Sequence, residues 1–389
     1  MITRQAEALA RILAREFKVV AITGPRQAGK TTLAQTVFRD KPYVSLEDPD
    51  QRQFASEDPR RFLDFFPDGA VIDEAQHGPD LFSYLQGRVD ARPTAGQFIL
   101  TGSQHFGLLQ RISQSLAGRV GCLRLLPFSL AELERGGWGP ESLDELLFKG
   151  GYPPLYDQAA TPERWYNAYI TTYVERDVRQ LLNVRDLGAF QRFVGLCAGS
   201  TGQLINTSRL GADLGINYNT VRSWLDILEA SFVIFRLRPH HRNFRKRLVK
   251  TPKLYFYDTG LAARLLGIEN ARQLATHPMR GALFENWVIV ELLKNRGNRG
   301  KADNLFFWRN HTGEEVDVIA DHGDHLLPVE IKAGSTVASD WFKPLSRWCE
   351  LAGEVAATPW LVYGGTRRQG RGPVEVLPWR EVDELGELI

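Results

Sequence analysis

The sequence predicts an α/β protein, and three observations lead there. Short apolar runs recur through the first third, at residues 19–22, 43–46, 70–72, 97–100 and 122–126. They are continuous rather than alternating, as parallel strands buried on both faces are. A glycine-rich loop, Gly24-Pro25-Arg26-Gln27-Ala28-Gly29-Lys30-Thr31, separates the first run from a helical stretch, and two acids, Asp73-Glu74, end the third run. Strands alternating with helices in this way predict a three-layer domain, here over residues 1–135.

The loop fits G-x-x-x-x-G-K-[ST] in the context that motif requires, after a strand and at the head of a helix. Its glycines let backbone N–H groups close around phosphate oxygens, and the helix N-terminus adds positive potential. Gly24 through Thr31, with Thr32 behind them, are therefore the expected nucleotide-binding residues. Lys30 reaches the β- and γ-phosphates, and the Thr31 hydroxyl holds Mg²⁺. Asp73 suits the same Mg²⁺ shell, and Glu74 is placed to polarise the attacking water as general base. The fourth strand leads into Thr101-Gly102-Ser103-Gln104, where Gln104 or Ser103 would touch the γ-phosphate or the water. ATP and Mg²⁺ are the expected cofactors.

Arg119, in Leu116-Ala117-Gly118-Arg119-Val120, precedes the fifth strand. In ring-forming ATPases an arginine so placed reaches the next subunit's γ-phosphate, which predicts a homo-oligomer; a plain surface arginine is the alternative.

The bulk composition excludes other classes. Hydrophobic residues make up 43% and charged residues 24% of the 389, an ordinary globular mix. No stretch of 18 uncharged apolar residues predicts a membrane span, and the N-terminus lacks a signal peptide's apolar core, so cytoplasmic localisation is expected. Cys122, Cys197 and Cys349 are odd in number, far apart and set in apolar stretches, which predicts buried thiols rather than zinc or disulfides. A net charge of +2 names no partner, but residues 231–257 hold eight Lys or Arg and no Asp or Glu.

A glycine-rich boundary near residues 136–140 opens a mostly helical middle domain, expected over 141–270. Trp165, Tyr169 and Tyr173 recur at i, i+4, i+8 and read as core. A short helix from Ser208 to Leu214, the turn Gly215-Ile216-Asn217 and a second helix beginning near Asn219 give a helix-turn-helix pattern. Val221, Trp224, Leu225 and Leu228 form the inward face of the second helix, leaving Tyr218, Asn219 and Arg222 at its exposed N-terminal part. Two strands follow, with a basic run between them that contains Arg245, Lys246 and Arg247. Together these predict a winged helix with a cationic wing, contacting duplex or branched DNA through those six residues or else serving as a protein contact.

The last domain, expected over 275–389, opens with a helix at 283–294. A hairpin follows whose loop is Gly323-Asp324, with Gly supplying the positive φ. Counting outward puts His322 against His325, Asp317 against Glu330 and Glu315 against Lys332. Because strand side chains alternate, Asp317, Glu330, Glu315 and Lys332 share one face, while Val316, Val318, Val329 and Ile331 take the other. Pro328 suggests an edge strand or an irregular rung. Asp317 and Glu330 are candidate ligands for a second Mg²⁺ or Mn²⁺, with Glu285 on the preceding helix completing the site and Lys332 positioning or activating water. A cross-strand salt-bridge ladder is the alternative.

Taken as a whole, the chain resembles a widespread family of prokaryotic AAA+-type ATPases. The resemblance rests on the loop at 24–32, Ile72-Asp73-Glu74-Ala75-Gln76, Leu100-Thr101-Gly102-Ser103-Gln104, Leu116-Ala117-Gly118-Arg119 and Pro127-Phe128-Ser129. It continues through Gly150-Gly151-Tyr152-Pro153, Glu175-Arg176-Asp177, Leu254-Tyr255-Phe256-Tyr257-Asp258-Thr259-Gly260, Glu285-Asn286, and Glu315-Val316-Asp317 with Glu330-Ile331-Lys332. It implies ATP binding, a winged-helix middle domain and a C-terminal domain of the PD-(D/E)xK restriction-endonuclease-like fold. The reading is an ATP-driven, DNA-associated enzyme; the rival is a nucleotide-switched regulatory or scaffold protein whose nuclease-like domain only binds.

Overall fold

The computed structural model describes residues 2–103, 115–158, 160–177, 186–240 and 249–389, without the side chains of 175–177. Gln104, Arg245, Lys246 and Arg247, and the side chains of Glu175-Arg176-Asp177, therefore lie outside the described residues. The chain forms two compact units. The first comprises residues 1–128 with 230–232 and 297–301; the second comprises 129–229, 233–296 and 302–389.

The first unit is built on five parallel strands, β1 (Val19–Thr23), β2 (Tyr43–Ser45), β3 (Val71–Asp73), β4 (Phe98–Gly102) and β5 (Val120–Arg124), in the order β2-β3-β4-β1-β5. Helices α1 (Ala6–Glu16), α2 (Lys30–Val37), α3 (Pro49–Glu57), α4 (Pro59–Asp64) and α5 (Leu81–Asp90) complete it. The continuous apolar runs are divided by the two-residue period of the strand. Val19, Ala21, Ile72, Phe98 and Leu100 join one core cluster with Phe62, Leu63, Phe82 and Leu85 of α4 and α5. Val20, Ile22, Val71 and Ile99 join the opposite cluster with Leu9, Leu33 and Val37 of α1 and α2. A strand whose two faces are both covered must be apolar at every position, and that is why the runs do not alternate. Cys122 corrects the expectation of buried thiols. It is exposed and Cys349 is half-buried; only Cys197 is enclosed. Burial alternates along β5, with Gly121 and Leu123 enclosed and Cys122 on the more open face.

In the second unit, α6 (Leu130–Arg135), α7 (Leu143–Lys149), α8 (Pro154–Asp157) and α9 (Pro162–Tyr169) are followed by a π-helical segment (Ile170–Asp177). α10 (Leu187–Gly199), α11 (Thr207–Leu214) and α12 (Tyr218–Ala230) then lead into the antiparallel hairpin β6 (Ile234–Leu237) and β7 (Lys253–Phe256). Trp165 stacks on Tyr169 with ring centroids 5.1 Å apart, and Tyr169 and Tyr173 are buried, as the aromatic stripe predicted. Asp258 caps α13 (Thr259–Leu265) by accepting from Leu261 N–H at 3.0 Å, and also accepts from Gly151 N–H at 2.8 Å and Tyr166 O–H at 2.6 Å. A Cβ at Gly150 would lie 2.4 Å from that carboxylate, so the Gly-Gly pair has a packing role.

After α14 (Ala271–Ala275) and α15 (Arg280–Asn298), β8 (Leu305–Arg309), β9 (Glu315–Asp321), β10 (Leu326–Lys332), β11 (Trp360–Tyr363), β12 (Gln369–Arg371) and β13 (Val374–Pro378) form a mixed sheet ordered β12-β13-β11-β10-β9-β8. α16 (Lys343–Ala352) packs Leu345 and Trp348 against Trp308, Val316 and Leu361 of this sheet, and α17 (Val382–Leu388) ends the chain described. The free side of β8 is covered from the β6 side: His240 N–H donates to the Phe307 carbonyl at 2.7 Å and Phe307 N–H to that of Arg238 at 3.1 Å. The regions read from sequence as middle and C-terminal domains thus share one compact unit.

The hairpin register is the one counted from the loop. His322 N–H donates to the His325 carbonyl at 3.1 Å, and the pairing runs from Leu326 with Asp321 to Val329 with Val318. Of the two expectations for Pro328, an edge strand or an irregular rung, the edge is excluded, because β10 lies between β11 and β9. Counting from the bonded pair His322–His325, Pro328 with Ile319 is a non-bonded rung, so its nitrogen faces β11. Pairing with β11 begins only at Val329, and the missing N–H falls outside the ladder.

Candidate functional site

The nucleotide loop is shaped by its glycines. Gly24 has φ +147°, and a Cβ there would stand 2.0 Å from the Leu125 carbonyl oxygen; Gly29 has φ +90° at the head of α2. Lys30 is 5% exposed and donates to the carbonyls of Gly24 at 3.1 Å and Pro25 at 2.8 Å. Burial pulls its ammonium down to about 8, against the opposing pull of Glu74 and Asp73. A residue that belongs to none of the motifs also holds the loop. Arg4 donates to the carbonyls of Ala28 at 2.7 Å and Leu126 at 2.6 Å, and its guanidinium lies 4.8 Å from the centre of the Phe128 ring. Pro25 and Ala28 are buried, Arg26 is half-buried, and Gln27 and Thr32 are exposed.

Asp73 is where three hydroxyls converge. That of Thr31 lies 2.9 and 3.1 Å from its two oxygens, that of Tyr43 donates at 2.9 Å, and that of Thr101 bonds to it closely. Glu74 is left-handed, φ +50°, a strained value for a side chain of its size. That turn is fixed by Glu74 N–H donating to the Thr101 hydroxyl at 3.2 Å. The Glu74 carboxylate accepts from Ser103 O–H at 3.2 Å and from the Gln76 amide. Hydroxyl and carboxylate oxygens side by side, at the mouth of a phosphate loop, are the donors Mg²⁺ takes. Of the polar pair after the fourth strand, Ser103 is thus beside Glu74.

Arg119 is engaged within its own chain. Its guanidinium forms a two-pronged bond to Asp90, both contacts at 2.7 Å, and Lys18 approaches the same carboxylate at 3.6 Å.

In the middle region α11 ends at Leu214 and α12 begins at Tyr218, with Gly215-Ile216-Asn217 between them. Val221, Trp224, Leu225 and Leu228 are buried, while Tyr218, Asn219 and Arg222 are exposed, with the Arg222 guanidinium 5.6 Å from the centre of the Tyr218 ring. Arg236, part of the acid-free stretch, is held by Asp226 at 2.8 Å and by Glu229.

The C-terminal carboxylates fall into two neighbouring groups. Oxygens of Glu285 on α15 and of Glu315 and Asp317 on β9 lie within 4.8 Å of one another. Glu330 instead bonds Lys332, which also approaches Asp317 at 3.7 Å; Asp317 accepts from Ile331 N–H at 2.8 Å. One oxygen of Glu330, a residue 3% exposed, has no hydrogen-bond partner among the described residues. Burial and the Asp317 charge push Glu330 up to about 8 and Glu285 up to about 7. An all-oxygen cluster with a buried orphan oxygen fits a hard divalent cation. A cleft of about 330 Å³ opens onto it, lined by Asp317, Glu330, Lys332, Lys343 and Arg347 among others.

The sequence assigns Glu315 no ligand role beyond its rung and its motif, and Lys253 no role beyond a share of the basic stretch. Lys253 is 2% exposed and donates to Glu285 at 2.9 Å and to Glu315, with Phe307 5.5 Å away. Burial works against its charge, but Glu285, Asp317 and Glu315 outweigh it and hold the ammonium above the usual lysine value. Tyr255 O–H also donates to Glu285. Next to Glu285, the Asn286 amide pairs with the backbone of Phe256 in both directions, at 2.7 Å each.

Three stretches match known families: residues 16–134 one described as AAA domain, and residues 140–272 and 280–382 two domains of unknown function, DUF8612 and DUF4143. The uncharacterized proteins Rv2008c of Mycobacterium tuberculosis and Mb2031c of Mycobacterium bovis are each 34% identical over 338 residues, 86% of this chain and 74% of theirs. Among solved structures, the Walker-type ATPase PABY2304 of Pyrococcus abyssi aligns at 17% identity over 68% of this chain and 96% of its own, with TM-score 0.46. AMPPCP-bound DnaA from Aquifex aeolicus aligns at 13% identity over 58% and 85%, with TM-score 0.31. The chain belongs to the same family as the two mycobacterial proteins, and its first part is a P-loop AAA-type ATPase domain.

Proposed function

We propose that the protein hydrolyses ATP with Mg²⁺ and uses the cycle to act on DNA. The observation that carries the first half is the convergence of Thr31, Tyr43 and Thr101 on Asp73, one residue from Glu74, whose charge also acts on the ammonium of Lys30. Lys30 and the loop N–H groups would hold the phosphates, Thr31 and Asp73 the Mg²⁺, and Glu74 would orient and deprotonate the water. The metal supplies charge neutralisation at the phosphates; the residues named position and exclude. Arg119 of one subunit would serve the site of the next in a homo-oligomer, a ring being the arrangement that lets every site receive one.

The DNA half rests on the exposed N-terminal part of α12, Tyr218, Asn219 and Arg222, and on the basic segment between β6 and β7. The C-terminal cluster adds a PD-(D/E)xK-like site, with Asp317, Glu330 and Glu285 for a divalent cation and Lys332 beside the scissile phosphodiester.

One observation favours the scaffold reading for that last site. Lys253, Lys332 and Arg309 already bond to its carboxylates, so much of the negative charge is answered within the chain. The deciding assay combines the full chain with ATP, Mg²⁺ or Mn²⁺, and linear, supercoiled and branched DNA. ATP turnover that DNA stimulates supports the proposal. Turnover indifferent to DNA, with no DNA retained, supports the scaffold.

A further inference from the structure

We infer that Lys253 is the resident cation of the C-terminal carboxylate cluster, and that a divalent ion and the seated β6–β7 hairpin exclude one another there. This deepens the reading of the cluster as a divalent-cation site and rests on it.

The ammonium of Lys253 lies on carboxylates that a metal there would need. It touches Glu285 and Glu315, two of the three carboxylates whose oxygens come within 4.8 Å of one another. The third, Asp317, faces Lys332 and the Ile331 N–H. A divalent ion entering among the three would meet a like charge close by, and each of these carboxylates has only two oxygens to share between the two cations. The orphan oxygen of Glu330 marks ligand capacity that the two lysines leave unused.

Lys253 is not a long surface side chain that happens to fold inward. It is 2% exposed and begins β7, a strand fixed on several sides. Its backbone bridges to Leu204 and that of Leu254 to Thr201. Leu237 pairs with Lys253 across the hairpin, and Asn286 holds Phe256. The ammonium is therefore delivered by the seating of the whole hairpin, and moving it out requires either a rotamer change past Phe307 or a shift of β7. By reciprocity, the metal biases the hairpin.

The test is Mn²⁺ calorimetry on the full chain without nucleotide, for wild type, Lys253→Met and Lys253→Arg, with Asp317→Ala placed in each to assign the heat to this cluster. Lys253→Met should bind Mn²⁺ at least about ten-fold more tightly than wild type, Lys253→Arg should not, and Asp317→Ala should remove the gain. A second measurement needs no variant: an amine-acylating reagent on the wild-type chain, read by mass spectrometry, should modify Lys253 several-fold faster under saturating Mn²⁺. Affinities within two-fold for wild type and Lys253→Met, where Asp317→Ala still abolishes binding, overturn the inference and leave the metal reading standing. No Mn²⁺ heat in any of the three overturns both. If Lys253→Met does not fold, unchanged acylation of Lys253 with and without Mn²⁺ overturns the inference on its own.

Discussion

The hydroxyl of Thr31, at the head of α2, lies against the carboxylate of Asp73, at the end of β3, 2.9 and 3.1 Å from its two oxygens across 42 residues of sequence. Two oxygen ligands so placed should act on Mg²⁺ as one unit. Thr31→Val and Asp73→Asn should each lower Mg²⁺-dependent ATP turnover by roughly 10²–10³-fold, the scale of one lost charge-stabilising contact. The double variant should fall little further. Steady-state phosphate release measures this, and additive losses would show that the two act separately.

Glu74→Gln should bind ATP normally and hydrolyse it about 10²–10⁴-fold more slowly, because only proton removal from water is lost. Ser103→Ala, which removes a hydroxyl from the same carboxylate, should have a smaller effect. Single-turnover hydrolysis with labelled ATP separates binding from chemistry, and a wild-type rate for Glu74→Gln would remove it from the role of base.

Lys30 gives a pH signature. In the free protein burial holds its ammonium near 8. Phosphate oxygens favour the charged form, so the bound value must be higher. ATP binding should therefore take up protons as pH passes 8, and affinity should fall as pH rises from about 8 toward the bound value. Calorimetry in two buffers of different ionisation enthalpy reads the uptake directly. No buffer dependence at pH 8.5 would mean that Lys30 is already fully charged.

Arg119 can serve a neighbouring subunit only by leaving Asp90, since both prongs of its guanidinium are engaged. Asp90→Asn should therefore keep or raise turnover, whereas Arg119→Ala should lower it. Mixing Arg119→Ala with Lys30→Ala subunits should recover part of the activity, because a mixed interface can contain one intact site. Sedimentation with parallel turnover checks this, and full activity in a strict monomer ends the idea.

Replacing Arg222 with Ala should weaken DNA binding across sequences and lower the salt-dependence slope by roughly 0.9 per lost phosphate contact, with similar increments for Arg245, Lys246 and Arg247. Fluorescence anisotropy over a salt series gives both numbers. Unchanged slopes would turn this surface over to protein contacts.

What could be read in advance follows the range of the interaction. The Gly323-Asp324 loop fixes a register that can be counted residue by residue, so Asp317 and Glu330 were brought to one face without any tertiary knowledge. The strand runs around the nucleotide loop were legible because burial on both faces leaves a continuous apolar signature. Lys253 was illegible for the opposite reason. It looks like one more cation in a basic stretch, and its partners are 32 and 62 residues away on elements whose packing no local pattern encodes. A lysine opening an otherwise fully buried strand was the available signal. Asp90 as the partner of Arg119, and Arg4 as a brace for the loop, are tertiary choices of the same kind.

The two-way pairing of Asn286 with the Phe256 backbone bears on how the chain can be divided. A fragment cut at residue 275 keeps Glu285, Asn286 and Glu315 but leaves Lys253 and Phe256 behind. Two carboxylates then lose their shared cation, Glu315 keeping only Arg309, and a buried amide loses both its partners. Such a piece should express poorly or aggregate, and an inactive preparation of it would say nothing about the chemistry of the intact site. A fragment that begins at Ser129 retains the strand that supplies the countercharge.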